Sequence, residues 1–268
     1  MGKLHRLWFT LMGLSIVLAV SIGLHSPTQA QSRDTSFQAF TDNFDSYNPT
    51  LWHLADGWAN GDPFDCGWEA TSVFVNGGVM SLQINDLDCP CSGRPYASGE
   101  YRSNGHYLYG TYTVRMKAVD YDGVVSSFFI YTGPSEGNPW DEIDIEIIGK
   151  DTYTLQTNYY TNGVGGHEGY INLGFDAAAD FHTYSIEWMP DSIKWYVDGE
   201  LKLTENGSHG ALPTTPGRIM MNFWPGTDSV NGWLGDFVYT GPLVAQYDSV
   251  SFEPLELLYR SYLPLTVQ

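Results

Sequence analysis

Glu142, Asp144 and Glu146 stand at alternate positions in the run Glu142-Ile143-Asp144-Ile145-Glu146-Ile147. In an extended chain, residues two apart share a face, so the carboxyls point one way and the three isoleucines the other. Three like charges on one strand face repel, and a structural sheet gains nothing by gathering them. A solvated strand face is the plain alternative. Trp140 at the head of the run, the isoleucines behind it and the lack of any Lys or Arg between Trp140 and Gly149 weigh against it. Two carboxyls of different acidity are what glycoside hydrolysis requires: an ionised one attacks or stabilises the anomeric carbon, and a protonated one releases the leaving oxygen. A third acid between them can split their acidities, and Asp144 is placed to share a proton or hydrogen bond with either glutamate. Cα atoms four apart on a strand are separated by about 13 Å. Two glutamates leaning together close their carboxyls to the roughly 5 Å of a retaining pair, so retention of configuration is expected.

Neighbouring runs read by the same parity supply a setting for these acids. Phe129 goes with Tyr131; Gln156 goes with Asn158 and Tyr160; Met220 goes with Asn222 and Trp224. If these faces belong to one sheet, they form a groove floored by carboxylates and walled by rings and amides, the surface a polyhydroxylated chain requires. From Phe37 onward, turn signals recur every ten residues or so: Asn76-Gly77-Gly78, Gly133-Pro134, Asn162-Gly163, Asp198-Gly199, Pro216-Gly217 and Pro225-Gly226. The rhythm predicts an all-β sandwich. No window has convincing 3.6 periodicity, and no repeat or Pro/Ser-rich linker divides the chain. Tyr184 to Tyr196, Asp198-Gly199 and Leu201 to Leu203 read as a hairpin, and Asp176 to Phe181 as one helical turn.

The chain has 12 Lys plus Arg against 31 Asp plus Glu, a net charge of −19, which excludes nucleic acid and anionic membranes as partners. Hydrophobic residues at 43% against 16% charged exclude charge-driven disorder. Aromatics at 15% exceed what a core takes, so a ring-lined surface for flat ligands such as sugars is expected. Lys3, His5 and Arg6 precede an uncharged run, and Ala30 offers a small residue for cleavage, so residues 1–30 read as a secretory signal, with a signal anchor as the alternative. The folded domain then spans 31–253, and the apolar 254–268 is an extension without assigned role. Nothing else could cross a membrane, so the mature chain is read as secreted or cell-surface, and as a monomer. Three cysteines in an exported chain suggest one disulfide, from Cys66 to Cys89 or Cys91, and no zinc site. His53, His106, His167, His182 and His209 are scattered without ligand spacing and read as hydrogen-bonding residues. Asn206-Gly-Ser208 fits a glycosylation sequon and implies an exposed loop.

Trp140-Asp-Glu-Ile-Asp-Ile-Glu-Ile-Ile-Gly149 closely resembles the bacterial lichenases, the endo-β-1,3-1,4-glucanases of glycoside hydrolase family 16. So do Asn158 to Glu168, Trp195-Tyr-Val-Asp-Gly199 and Pro216 to Trp224; the likeness runs from about Phe40 to Phe252. The resemblance implies a concanavalin-like β-jelly roll of two antiparallel sheets with a concave cleft, and a retaining mechanism without a catalytic cofactor. Glu142 then matches the nucleophile, Glu146 the general acid/base and Asp144 the assisting acid. The cleft positions fall on Asn60, Glu100, Arg102, Phe129, Tyr131, Trp140, Asn158, Tyr160, Asn222, Trp224 and Trp233. A structural calcium is implied at Asp248 with the carbonyls of Asn43 and Gly78, where oxygen-only ligands suit a hard cation; the alternative is a plain surface aspartate.

The likeness has departures. Ser98 stands where lichenases place a disulfide cysteine before Gly99-Glu100-Tyr101-Arg102-Ser103, and Cys89 and Cys91 are displaced upstream. Thr154 to Asn158 and Phe181 to Ile186 are also similar to the xyloglucan endotransglycosylase/hydrolases of the same family. The laminarinase-type extra residue before the last glutamate is lacking. A mixed-linkage β-glucan is the expected partner, with xyloglucan transfer, or a non-catalytic lectin-like sandwich, as alternatives; the intact acid triad argues against the last.

Overall fold

The computed structural model describes residues 38–87 and 93–255. The proposed signal, Cys89, Cys91 and most of the C-terminal extension lie outside the described residues. In chain order the strands are β1 (Phe40–Asp42), β2 (Trp52–Leu54), β3 (Cys66–Trp68), β4 (Val73–Asn76), β5 (Val79–Ile84) and β6 (Tyr96–Ser98). Then come β7 (Glu100–Ser103), β8 (Gly110–Lys117), β9 (Val124–Thr132), β10 (Asp141–Ile148), β11 (Thr154–Tyr160) and β12 (Gly169–Asn172). The chain continues through β13 (His182–Met189), β14 (Ser192–Val197), β15 (Glu200–Glu205), β16 (Arg218–Pro225) and β17 (Leu243–Pro254).

Two antiparallel sheets result, the expected jelly-roll sandwich. The eight-stranded sheet runs β15-β14-β13-β8-β17-β5-β4, with β1 paired to β17; the seven-stranded sheet runs β12-β11-β10-β9-β16-β7-β2. A small parallel pair, β3 with β6, is additional. Strict alternation builds the core. In β8, Tyr112, Val114 and Met116 are buried while Thr111, Thr113 and Arg115 are only partly so, and Ile143, Ile145 and Ile147 of β10 join the same inter-sheet cluster. Each buried isoleucine contributes about 2 kcal/mol from area removed from water. That burial fixes the strand's register, because a slip of one residue would turn the isoleucines to solvent and the acids inward.

Turn chemistry is legible at three hairpins. Gly77 and Gly78 (φ 63° and 88°), Asn162 and Gly163 (52° and 77°), and Asp198 and Gly199 (48° and 81°) occupy left-handed pairs of the kind that two-residue hairpin loops need. The segment read as one arm of a hairpin, Tyr184 to Tyr196, is instead broken between Met189 and Ser192 into β13 and β14, giving a three-stranded meander. Pro190 explains the break, since it donates no ladder hydrogen bond. Asp176 to Phe181 forms a hydrogen-bonded turn, closed by Ala179 N–H to Asp176 O at 3.0 Å and by Ala178 N–H to the Asp176 carboxylate at 2.8 Å, rather than a helix. A short helix, α1 (Asn231–Leu234), carries Trp233.

Among the described residues no helix is long and apolar enough to cross a membrane. Cys66, expected in a disulfide, is a buried free thiol, and burial pushes its pKa up; both expected partners lie outside the described residues. The rings of His106, His167, His182 and His209 are hydrogen-bonded to Glu136, the Tyr159 carbonyl, Asp198 and Glu205 respectively. Asn206, Gly207 and Ser208 are exposed.

Candidate active site

The outward face of the seven-stranded sheet is ordered by register into rows that cross the strands. One row holds Tyr160, Glu142, Tyr131 and Arg218. The next holds Asn158, Asp144, Phe129, Met220, Arg102 and His53. The third holds Tyr170, Gln156, Glu146, Ser127, Asn222 and Glu100. The parity faces inferred from sequence are therefore parts of one surface. A cleft crosses it with a lobe of about 1000 Å³ over β9, β16 and β7 and one of about 470 Å³ over β11 and β12. Glu142, Asp144, Glu146 and Trp140 line both lobes. Asn60, Glu100, Arg102, Phe129, Tyr131, Asn222 and Trp224 line the larger, and Asn158, Tyr160, Trp224 and Trp233 the smaller, so the structure brings all these expected cleft residues together.

Each acid has a distinct set of partners. Trp140 Nε1–H donates to Glu142 Oε2 at 2.5 Å, and the Trp140 ring stacks on Tyr160 with centroids 4.6 Å apart and planes at 12°. Glu146 Oε2 accepts from Gln156 Nε2 at 2.8 Å, while Gln156 Oε1 accepts from Trp233 Nε1 at 2.9 Å. Asp144, only 6% exposed, is hydrogen-bonded to Glu142. Burial raises the pKa of all three carboxyls, because a charge there has lost its water. On Glu142 the Trp140 and Asp144 hydrogen bonds oppose the rise. On Asp144 the charges of Glu142 and Glu146 and the bond to Glu142 add to it. The shared proton therefore resides on Asp144, which donates to an ionised Glu142. On Glu146 the Glu142 charge adds to burial, against the Gln156 bond. The pair thus divides into an ionised and a protonated carboxyl, as double displacement requires.

The floor beneath the acids is fastened to the other sheet. Trp195 Nε1–H donates to the Asp144 carbonyl at 3.1 Å, and Tyr247 Oη donates to the carbonyls of Ser127 at 2.9 Å and Asn222 at 3.3 Å. Above the floor, Ser127 Oγ donates to Asn222 Oδ1 at 2.5 Å, and Asn222 Nδ2 to Glu100 Oε2 at 3.4 Å. Glu100 is 2% exposed, and burial raises its pKa to about 7. Sequence reasoning left several lining residues out of its site. Ser127 and Gln156 sit on strand faces that parity reached, and extending the β16 count by two residues finds Arg218, which Glu136 holds by its Nε. Trp58 lies in a loop with no period to betray it; Arg102 sits over its ring at 4.7 Å.

At the expected calcium position, Asp248 is the residue skipped where β17 shifts register between Tyr247 and Ser249, a bulge that re-aims its side chain. The pairing of Asp42 with Val250 brings Asn43 alongside, and a Cβ on Gly78 would lie 3.8 Å from the Asn43 carbonyl oxygen. The Asp248 carboxylate is engaged by Arg115, whose Nη1 donates to Oδ2 at 2.8 Å. Among the described residues no group of three or more His, Cys, Asp or Glu is gathered for a metal.

Comparisons with known proteins agree with this geometry. The profile of glycosyl hydrolases family 16 matches residues 60–237. A beta-glucanase of Paenibacillus polymyxa is 47% identical over 91% of this chain and 96% of its own, and one of Bacillus subtilis is 48% identical over 89% and 96%. Among solved structures, a prokaryotic beta-1,3-1,4-glucanase (lichenase) derived from a mouse hindgut metagenome superposes with a TM-score of 0.78 at 47% identity, covering 82% of this chain and all of that one. The Bacillus licheniformis beta-glucanase gives 0.76 at 49% identity, covering 81% and 98%. With its fold, its acid strand and its relatives in agreement, this chain belongs to glycosyl hydrolase family 16.

Proposed function

We propose that the protein is a secreted endo-β-1,3-1,4-glucanase that cleaves β-1,4 bonds next to β-1,3 bonds by double displacement. The observation that carries the chemistry is the split pair on β10: Glu142 fed by two hydrogen-bond donors, Glu146 raised by burial and by the Glu142 charge. The likeness to beta-glucanases and to a lichenase at 47% identity supports the substrate.

In the first step the Glu142 carboxylate forms a bond to the anomeric carbon, the glycosidic C–O bond breaks, and the Glu146 proton passes to the leaving oxygen. Once esterified, Glu142 carries no charge. The electrostatic contribution that raised Glu146 then disappears, so the same carboxyl becomes a better-ionised base for the second step. There it takes a proton from water, whose oxygen attacks the anomeric carbon and frees Glu142. Asp144 accompanies this cycle by keeping its proton and hydrogen-bonding it to Glu142 while that group is charged. Asn60, Arg102 and Asn222 read sugar hydroxyls, since hydrogen-bonding sites reject wrong analogues better than apolar walls do, while Tyr131, Trp224 and Trp233 take the ring faces.

Export follows from the signal-like residues 1–30 and from a polymer substrate that does not enter cells. Calcium, held by Asp248 and the carbonyls of Asn43 and Gly78, would serve stability; a thermal midpoint indifferent to chelator removes it. For the activity, lichenan and barley β-glucan should yield short oligosaccharides with a 1,3-linked reducing end, with little action on laminarin. Faster cleavage of xyloglucan, or transfer products outweighing hydrolysis, overturns the assignment. Azide fixes the roles: with an activated aryl glycoside, Glu146→Ala should give a β-glycosyl azide and Glu142→Ala the α-anomer, and the reverse pattern exchanges them.

A further inference from the structure

The cleft does not end at β11. β12 is the edge strand of the sheet, and on it Tyr170 is paired with Gln156, the residue whose amide holds Glu146. Tyr170 is 67% exposed and lines the smaller lobe with the acids. Two strand spacings separate its row position from Glu146, about 9–10 Å, a span suited to a second sugar ring beyond the scissile bond. A large ring left in water at the rim of a cleft is an open face for an apolar, flat ligand surface.

The two lobes differ in chemistry. The one over β9, β16 and β7 holds the buried hydroxyl-reading groups Glu100 and Asn222 together with Arg102, which suits the portion of substrate that stays covalently attached through both steps. The other lobe lies on the side toward which Gln156 draws Glu146, the group that protonates the departing oxygen. We infer that Tyr170 is a stacking platform for the leaving-group half of the glucan, and thus determines how strongly the enzyme prefers polymer over short substrates. This rests on the glucanase reading above.

The test compares wild type, Tyr170→Ala and Tyr170→Phe on barley β-glucan and on an aryl β-glycoside of a short mixed-linkage oligosaccharide, whose leaving group places no sugar over Tyr170. The Ala variant should raise KM for barley β-glucan roughly five- to tenfold and leave kcat/KM on the aryl glycoside unchanged, whereas Phe should match wild type on both. Because the side chain is exposed, thermal midpoints should coincide. An Ala variant unchanged on the polymer overturns the platform, and one that loses equally on both substrates overturns its placement on the leaving-group side. A wild type inactive on mixed-linkage glucan overturns the glucanase reading and the platform with it, which separates the two failures.

Discussion

The amide of Gln156 and the indole of Trp140 donate to different glutamates of the pair, and so act on opposite limbs of the pH profile. Gln156 donates to Glu146 and favours its charged form. Gln156→Leu should therefore raise the Glu146 pKa and move the alkaline limb of kcat/KM to higher pH, since activity needs this group protonated. Trp140 donates to Glu142. Trp140→Phe should raise the Glu142 pKa and move the acid limb upward, so that activity is lost at a higher pH on descent. A limb moving the other way in either profile contradicts the assigned proton positions. The same residues weigh on stability. Glu146 has its folded pKa raised from 4.5 to about 8, so the native state holds a proton the unfolded chain gives up, and stability falls as pH rises through that interval. Glu146→Gln should flatten this decline and melt higher than wild type at pH 8, at the expense of turnover.

At the scale of elements, the acid strand is anchored at its entry by a residue that faces away from the cleft. Asp141 is 4% exposed, and its carboxylate accepts from the backbone N–H groups of Asn162 at 2.9 Å and of Thr214 and Thr215 at 3.0 Å. It thereby joins β10 to the β11 hairpin loop and to the segment entering β16. Asp141→Ala removes the buried acceptor that three part-buried hydrogen bonds share and should cost about 3 kcal/mol, read from urea midpoints, with KM rising as Trp140 and Tyr160 lose their frame. A loss under about 0.5 kcal/mol, the range of an ordinary surface change, would refute the anchor. These elements also mark how far sequence reasoning reaches. Period-two counting identified the faces of β9, β10, β11 and β16 because burial of isoleucines and phenylalanines on one side imposes that period. It failed where no period operates: the Pro190 break between β13 and β14, the loop that brings Trp58 to the cleft, and α1, whose four residues are too few for a helical pattern. The proton on Asp144 was legible only as an option, because choosing Glu142 over Glu146 as its partner requires side-chain geometry that spacing does not contain.

The whole molecule is strongly acidic, with a net charge of −19 around a cleft floored by carboxyls. A neutral glucan feels little of this field, whereas an anionic polymer is repelled over about a Debye length, roughly 10 Å at 0.1 M salt. The kcat/KM on barley β-glucan should be nearly independent of sodium chloride, and any residual cleavage of carboxymethylcellulose should rise with salt; equal salt slopes for the two would argue against this. A further consequence follows from the fastening of Asp144, Ser127 and Asn222 to the indole of Trp195 and the phenol of Tyr247 across the inter-sheet core. The catalytic floor has no cooperative unit of its own: it cannot loosen while the opposite sheet stays folded, nor can that sheet melt beneath a working site. Heat should then abolish activity and native tryptophan fluorescence along a single curve, without a warm, folded but inactive state between them.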